Sequence, residues 1–191
     1  QGIFLSHAAV CPLPQVAVDA INAFATLGSH GNQENAYTAA TLEEARAYSA
    51  RLLGATPAEI ALLGPTALGL NLVAHGLAWQ PGDEVLFHAE DYPANVYPWR
   101  ALERHGVRPV ALRPAVPGRI DWPLIEAALT PRTRLVALAT CHYLTGCRIP
   151  VDDIGWRLKE RGVLFCLDAI QTLGAFPLHT RFVDFLSADS H

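Results

Sequence analysis

The sequence predicts an α/β fold in which a mostly parallel sheet carries helices on both faces. From residue 60 onward, short apolar runs alternate with helical stretches, the pattern of a strand-helix repeat. Gly, Pro and Asp punctuate the repeat, as in Pro81-Gly82-Asp83 and Arg161-Gly162, where a helix stops and the next strand begins. Polar residues gather just past the ends of the apolar runs, at the edge where open α/β sheets bind ligands.

Ahead of this repeat, the segment after Cys11-Pro12 through Leu27 reads as a helix. A second helix is signalled by Thr41 and Glu44 at capping-box spacing and by Gly54 as its stop, with an apolar side of Leu42, Ala45, Ser49, Leu52 and Leu53. Strands are expected over residues 60–63, Glu84–His88, 107–112, 135–139 and 163–167. The last run, Val163-Leu164-Phe165-Cys166-Leu167, is continuously apolar and so marks a strand buried on both faces. Between the strands, Gly64-Pro65-Thr66-Ala67 leads into a helical pattern of Leu68, Leu70, Leu72, Val73 and Leu77, and Ala94 through Trp99 turns into a helix ending near Gly106. No repeat, charge run or low-complexity linker breaks the chain, so no domain boundary is expected within it.

Composition narrows the function. With 51% hydrophobic and 17% charged residues the chain can bury a substantial core, which excludes disorder. A net charge of -4 leaves no basic face for nucleic acid, and no run approaches the roughly 18 apolar residues of a membrane span. A small-molecule role in the cytoplasm is expected. The cysteines Cys11, Cys141, Cys147 and Cys166 follow no disulfide spacing and read as reduced thiols. The chain lacks methionine and ends abruptly at Ser187-Ala188-Asp189-Ser190-His191, so both ends are read as cuts.

Each polar cluster admits a functional and an ordinary reading. The turn before Leu68 presents backbone N–H groups and a positive dipole end to a phosphate, or Thr66 is simply a helix cap. Asp168, closing the buried run, needs a cationic or hydrogen-bonding neighbour, such as a protonated pyridine nitrogen; otherwise it is an N-cap or half of an ion pair. Gln171, one helical turn on, reaches the same ligand. Tyr92 either stacks on a planar heterocycle or covers the core. Cys141, His142, Cys147 and Cys166 raise zinc, but no Cys-x-x-Cys knuckle is present and Cys166 falls inside a strand, so no metal is expected. Nothing nearby lowers a thiol pKa, which leaves Cys141 and Cys147 as bystanders. Glu43, Glu44, Asp152 and Asp153 are helix-start carboxylates suited to the dipole.

Taken together these pieces resemble the class V aminotransferase family, which contains cysteine desulfurases, isopenicillin N epimerase-like proteins and kynureninase. Ile3-Phe4-Leu5-Ser6-His7-Ala8-Ala9 resembles its opening strand, the run from Gly64 to Ala74 its phosphate-binding turn, and Glu90 to Trp99 the segment carrying the ring that stacks on the cofactor. Asp168 to Leu178 is the most specific match.

The resemblance implies pyridoxal 5'-phosphate (PLP) as cofactor. Thr66 and the N–H of Ala67 would hold its phosphate, with Asp189 and His191 nearby. Tyr92 would stack on its ring, Tyr143 would lie beside it, Asp168 would pair with its pyridinium nitrogen, and Gln171 would contact its phenolic oxygen. Asp168, His191 and Tyr92 are the implied catalytic residues. The residue after His191 would be the lysine that carries the cofactor, and a chain without it is expected to be inactive. The implied fold is the large domain of a fold type I PLP enzyme, with a seven-stranded sheet. Residues 1–191 would span the N-terminal segment and most of that domain, with the rest and a small C-terminal domain lying beyond them. A homodimer acting on an amino acid substrate is implied.

Two departures shape the activity expected. Desulfurases usually place a histidine where Tyr92 stands, and many members place asparagine where Tyr143 stands. Both point toward reaction at Cα, as in transamination or epimerisation. Desulfuration or a related Cβ lyase activity is the alternative, followed by a non-catalytic member of the family.

Overall fold

The computed structural model describes residues 3–6, 9–35 and 38–189. They form two compact units, one ending at Leu62 and the other beginning at Leu63. The sequence shows no linker at this junction.

The first unit holds two helices. α1, Gln15–His30, starts later than its sequence suggests because Pro14 stays extended as its N-cap. None of its residues is buried. In α2, Ala39–Leu53, the cap is Thr38, whose side chain accepts from the Thr41 amide; the expected Thr41-Glu44 box does not form. A capping pair appears after the helix instead, where Glu59 accepts from the amide and hydroxyl of Thr56. Gly54 ends α2 in the left-handed conformation at φ 67, as expected of a glycine stop. The buried side of α2 centres on Ala50 and Leu53, while Leu42 and Leu52 of the expected stripe are exposed.

Residues 60–63 do not form the expected strand. They have no ladder partner among the described residues, and Leu62 and Leu63 are exposed. Backbone of this kind becomes a strand only beside another strand that takes its N–H and C=O groups. Residues 3–6 of the expected opening strand are likewise outside any ladder, and residues 7 and 8 lie outside the described residues.

The second unit is the sheet. Its strands are β1 (Glu84–His88), β2 (Arg108–Leu112), β3 (Thr133–Ala139), β4 (Leu164–Asp168) and β5 (Phe185–Ser187), all parallel in the order β2-β1-β3-β4-β5. Four of the five expected strands are therefore present, within two residues of their expected bounds. β5 was not foreseen; it is a half-buried edge strand of three residues, too short for a period-2 pattern. Five strands stand among the described residues where the resemblance implies seven.

Helices cover both faces. α5 (Trp122–Ala128) and α6 (Val151–Lys159) pack Ile125, Ile154 and Leu158 against Leu86, Val136, Phe165 and Leu167. On the other face, α3 (Thr66–Gly76) and α4 (Tyr97–Ala101) pack Leu70, Ala74 and Trp99 against Val85, Phe87, Leu135 and Cys166. With apolar side chains alternating to opposite faces and a helical layer on each, β1 is buried at every position. From β1 the chain steps outward to β2, then returns across β1 to β3 and proceeds the other way, so the winding reverses between β1 and β3. Loops that diverge at such a point open a crevice at the carboxyl edge.

The opposite edge is fastened by a buried carboxylate. Glu84, at the start of β1, accepts from Arg108 and from the hydroxyls of Thr130 and Thr133. Burial alone would raise this carboxyl, but those hydrogen bonds outweigh it and hold it below its ordinary value of 4.5. Its contribution is therefore present at neutral pH and is lost as pH falls through the depressed value. Glu84→Gln is expected to cost about 2 kcal/mol at pH 7. Urea unfolding at pH 7 and at successively lower pH checks this, and the gap between variant and wild type should narrow as pH falls from 4.5 through the depressed value.

Candidate active site

The carboxyl edge is built from the N-terminus of α3 and the ends of β1, β3, β4 and β5. Thr66 is the first residue of α3, after an extended Pro65 cap, so it is not the helix cap of the ordinary reading. Its amide and its hydroxyl both donate to Asp189 Oδ2, at 3.2 and 3.1 Å. Ser187 Oγ, from β5, donates back to the Thr66 carbonyl at 2.9 Å. These donors already hold an anionic oxygen, which is the chemistry a phosphate oxygen requires at a helix start. Ala67, half-buried, contributes the next N–H of that first turn.

Gly69 is what allows α3 so close to β5. A Cβ there would lie 3.0 Å from Ser187 Cβ and closer still to its hydroxyl. In an open helix Gly→Ala stabilises by up to about 1 kcal/mol. Here Gly69→Ala is expected to destabilise by about 1–2 kcal/mol through overpacking and to part Thr66 from Asp189. The urea midpoint checks the sign; a gain in stability would show that the helix has room.

Asp168 ends β4 between Ala139 of β3 and Ser187 of β5 and is 3% exposed. Its Oδ1 accepts from the Ile170 amide at 3.1 Å, and its carbonyl accepts from the amide and hydroxyl of Thr140. Thr140 in turn meets the Thr172 hydroxyl at 2.7 Å, both side chains being buried. Gln171 is half-buried in this segment, which is a series of turns and not the helix expected.

Tyr92 follows β1 and Tyr143 follows β3, one on each side of the reversal in winding. Their rings meet edge to face at 5.4 Å. Tyr92 is 54% exposed, so it is not a lid on the core. Beneath it, buried Asp91 accepts from the Tyr92 amide at 2.8 Å and from Asn95 Nδ2 at 3.0 Å. Burial pushes the Asp91 carboxyl up, and these hydrogen bonds offset part of that rise.

Burial also raises the thiols of Cys141 and Cys166, so neither is an activated nucleophile. Among the described residues no group of three His, Cys, Asp or Glu side chains gathers as a metal site. His191 lies outside the described residues.

The aminotransferase class-V family model matches residues 3–191. The chain belongs to that family. A cysteine desulfurase from Nostoc sp. is 30% identical over 198 residues, covering 99% of this chain and 49% of that protein. Among solved structures, the cysteine desulfurase CsdA from Escherichia coli superposes with a TM-score of 0.85 at 27% identity, covering 97% of this chain and 49% of that one. A C-DES mutant with glycine covalently linked to its PLP cofactor superposes at 0.79 and 24% identity over 94% of this chain and 50% of that one, a likeness of fold. The chain thus spans about half the length of these class-V relatives. The sheet is the fold type I architecture expected.

Within this class-V frame, the structure brings together Thr66 with Asp189 and Tyr92 with Tyr143, and places Asp168 on the strand beside Ser187. Ser187, Thr140 and Asn95 were not singled out from sequence. Ser187 lies on the unforeseen β5, and Thr140 acts through hydrogen bonds that no spacing reveals. Asn95 stands four residues after Asp91 and four before Trp99, a local spacing that could have found it.

Proposed function

We propose that the full-length protein is a PLP-dependent enzyme acting on a small amino acid, with abstraction of sulfur from cysteine as its leading activity. The observation that carries the PLP reading is the paired donation of Thr66 N–H and Oγ to one anionic oxygen, on the same sheet edge as a buried carboxylate. Thr66 and Ala67 would hold the phosphate, with Asp189 and His191 beside it, once the Asp189 carboxylate turns off the Thr66 donors. Asp168 would hold the ring nitrogen protonated, Gln171 would reach the phenolic oxygen, and Tyr92 and Tyr143 would flank the ring. When bound, PLP supplies an electron sink for charge developing at Cα.

The choice of cysteine rests on the desulfurase relatives, which match this chain end to end. A second reading, transamination or epimerisation at Cα, is favoured by Tyr92, which offers a stacking ring where desulfurases usually carry a proton-transferring histidine. We further propose a cytoplasmic homodimer, in keeping with the resemblance.

The test is an absorption spectrum of the full-length protein with PLP, before and after borohydride reduction, with peptide mapping past His191. A visible-edge band that collapses on reduction, with the label on a lysine next to His191, supports the cofactor. No band and no lysine there would leave a family member that keeps the fold without the chemistry. Alanine formed from cysteine with the sulfur left as persulfide, and released as sulfide on adding a thiol reductant, would then select desulfuration; amino-group transfer or racemised substrate without such sulfur release would select the second reading.

A further inference from the structure

One side chain, weighed from sequence as a metal ligand, joins the two tyrosine loops. His142 is 6% exposed. Its Nε2 lies 3.0 Å from the Glu90 carbonyl oxygen, and its Nδ1 lies 3.0 Å from Thr145 Oγ1 and 3.3 Å from the Thr145 amide nitrogen. A carbonyl can only accept and an amide N–H can only donate, so both contacts fix one tautomer. Nε2 carries the proton and Nδ1 the lone pair.

The geometry around this ring is that of a clamp. Glu90 stands two residues before Tyr92, and Tyr143 is the next residue after His142. The His142 ring meets Tyr143 at 5.1 Å, and Tyr143 meets Tyr92 at 5.4 Å. The hairpin bearing His142 is closed by His142 N–H to the Cys147 carbonyl and Gly146 N–H to the His142 carbonyl, each at 2.9 Å. A third loop shuts the ring in. Gly118 adopts φ +77, and a Cβ there would lie 2.9 Å from His142 Nδ1, so no side chain but hydrogen fits above it. Behind it, the His88 ring stands 5.0 Å away, and burial holds His88 below its ordinary value.

We propose that His142 is a positioning residue which, as a neutral Nε2–H imidazole, clamps the loop after β1 to the hairpin after β3 and so sets the Tyr92-Tyr143 pair for the cofactor ring. The role toward the cofactor rests on the PLP reading above; the clamp itself does not. The pair spans the point where the winding of the sheet reverses, and among the described residues the β1–β3 ladder stops at Phe87 and Ala137, short of both loops.

The test uses His142→Leu, His142→Gln and Thr145→Val in the full-length protein, with two readouts: amide exchange at Tyr92 and Asn95, and PLP affinity with its bound-state circular dichroism. His142→Leu is expected to speed exchange at both amides at least tenfold, weaken PLP about tenfold and diminish the dichroism. Gln, which can still donate to the Glu90 carbonyl, is expected to restore most of each. Thr145→Val, an exposed position that loses only the hydroxyl, is expected to move both readouts a few-fold in the same direction, and it decides the matter if His142→Leu fails to fold. Wild-type exchange in Thr145→Val and in any folded His142→Leu would overturn the clamp. Faster exchange with unchanged PLP affinity and dichroism would overturn its role toward the cofactor. If the wild type takes up no PLP, the cofactor reading falls, and exchange at Tyr92 and Asn95 still judges the clamp.

Discussion

Asp168→Ala is expected to lower turnover on the order of 100-fold, while the full-length protein still folds and still takes up PLP. The effect follows from where the carboxylate stands. β4 delivers it at the sheet edge, buried between two neighbouring strands, in a place where an ionised group must have a charged or hydrogen-bonding counterpart. Charge that is fixed in advance at a reacting centre is worth roughly 10²–10³ in rate when removed. On the proposed PLP reading the phosphate would be held by Thr66 and the start of α3, so affinity should suffer less. Asp168→Asn separates the contributions, since an amide oxygen can keep the bond from the Ile170 amide while the charge is lost. Turnover as low in Asn as in Ala assigns the effect to charge. Wild-type turnover in either variant would remove Asp168 from the chemistry.

How much of this was legible in the sequence depends on whether a signal was local. β4 announced itself because five consecutive apolar residues ending in an aspartate have few other structures to form. β1 was bounded correctly by Pro81-Gly82-Asp83 ahead of it and by the polar Glu90-Asp91 after it. The run over residues 60–63 carries a similar apolar signal yet stays outside the sheet, because a strand is a relation between two segments and only one of them is visible in a local pattern. The cap of α2 slipped from Thr41 to Thr38 for a related reason. Both threonines fit the preference, and three residues of helix are decided by the first turn's hydrogen bonds.

The site divides in the same way. Thr66, Tyr92, Asp168 and Asp189 were singled out because each belongs to a run that resembles the class V family, and Tyr143 because it stands where many members place asparagine. His142 was visible as a residue type but not as a clamp, since its partners lie 52 residues back and three residues ahead. Resemblance cannot supply such a contact, and periodicity does not encode it. Gly69 is similar: in sequence it is a weak point in a helix, and only the approach of Ser187 explains why a side chain is excluded.

The largest effect on stability is expected at Trp99. Its side chain is fully buried against Leu70, Val96, Leu102 and Val107, and its Nε1 donates to Asn95 Oδ1 at 2.9 Å. Asn95, also fully buried, passes the connection to Asp91 and thereby to the Tyr92 amide. Trp99→Ala removes the ring and is expected to cost about 4 kcal/mol for the cavity, with roughly 1 kcal/mol more for the buried Asn95 oxygen left without its donor. Trp99→Phe keeps much of the apolar contact and deletes the N–H, so it should cost about 2 kcal/mol. Urea unfolding of the full-length protein gives both values. The chain from Trp99 to Tyr92 makes a further demand: Trp99→Phe should also raise amide exchange at Tyr92, although the Trp99 ring is itself fully buried. Exchange unchanged there, alongside the expected loss of stability, would mean that Trp99 supports the core and leaves the loop to Asp91 and His142.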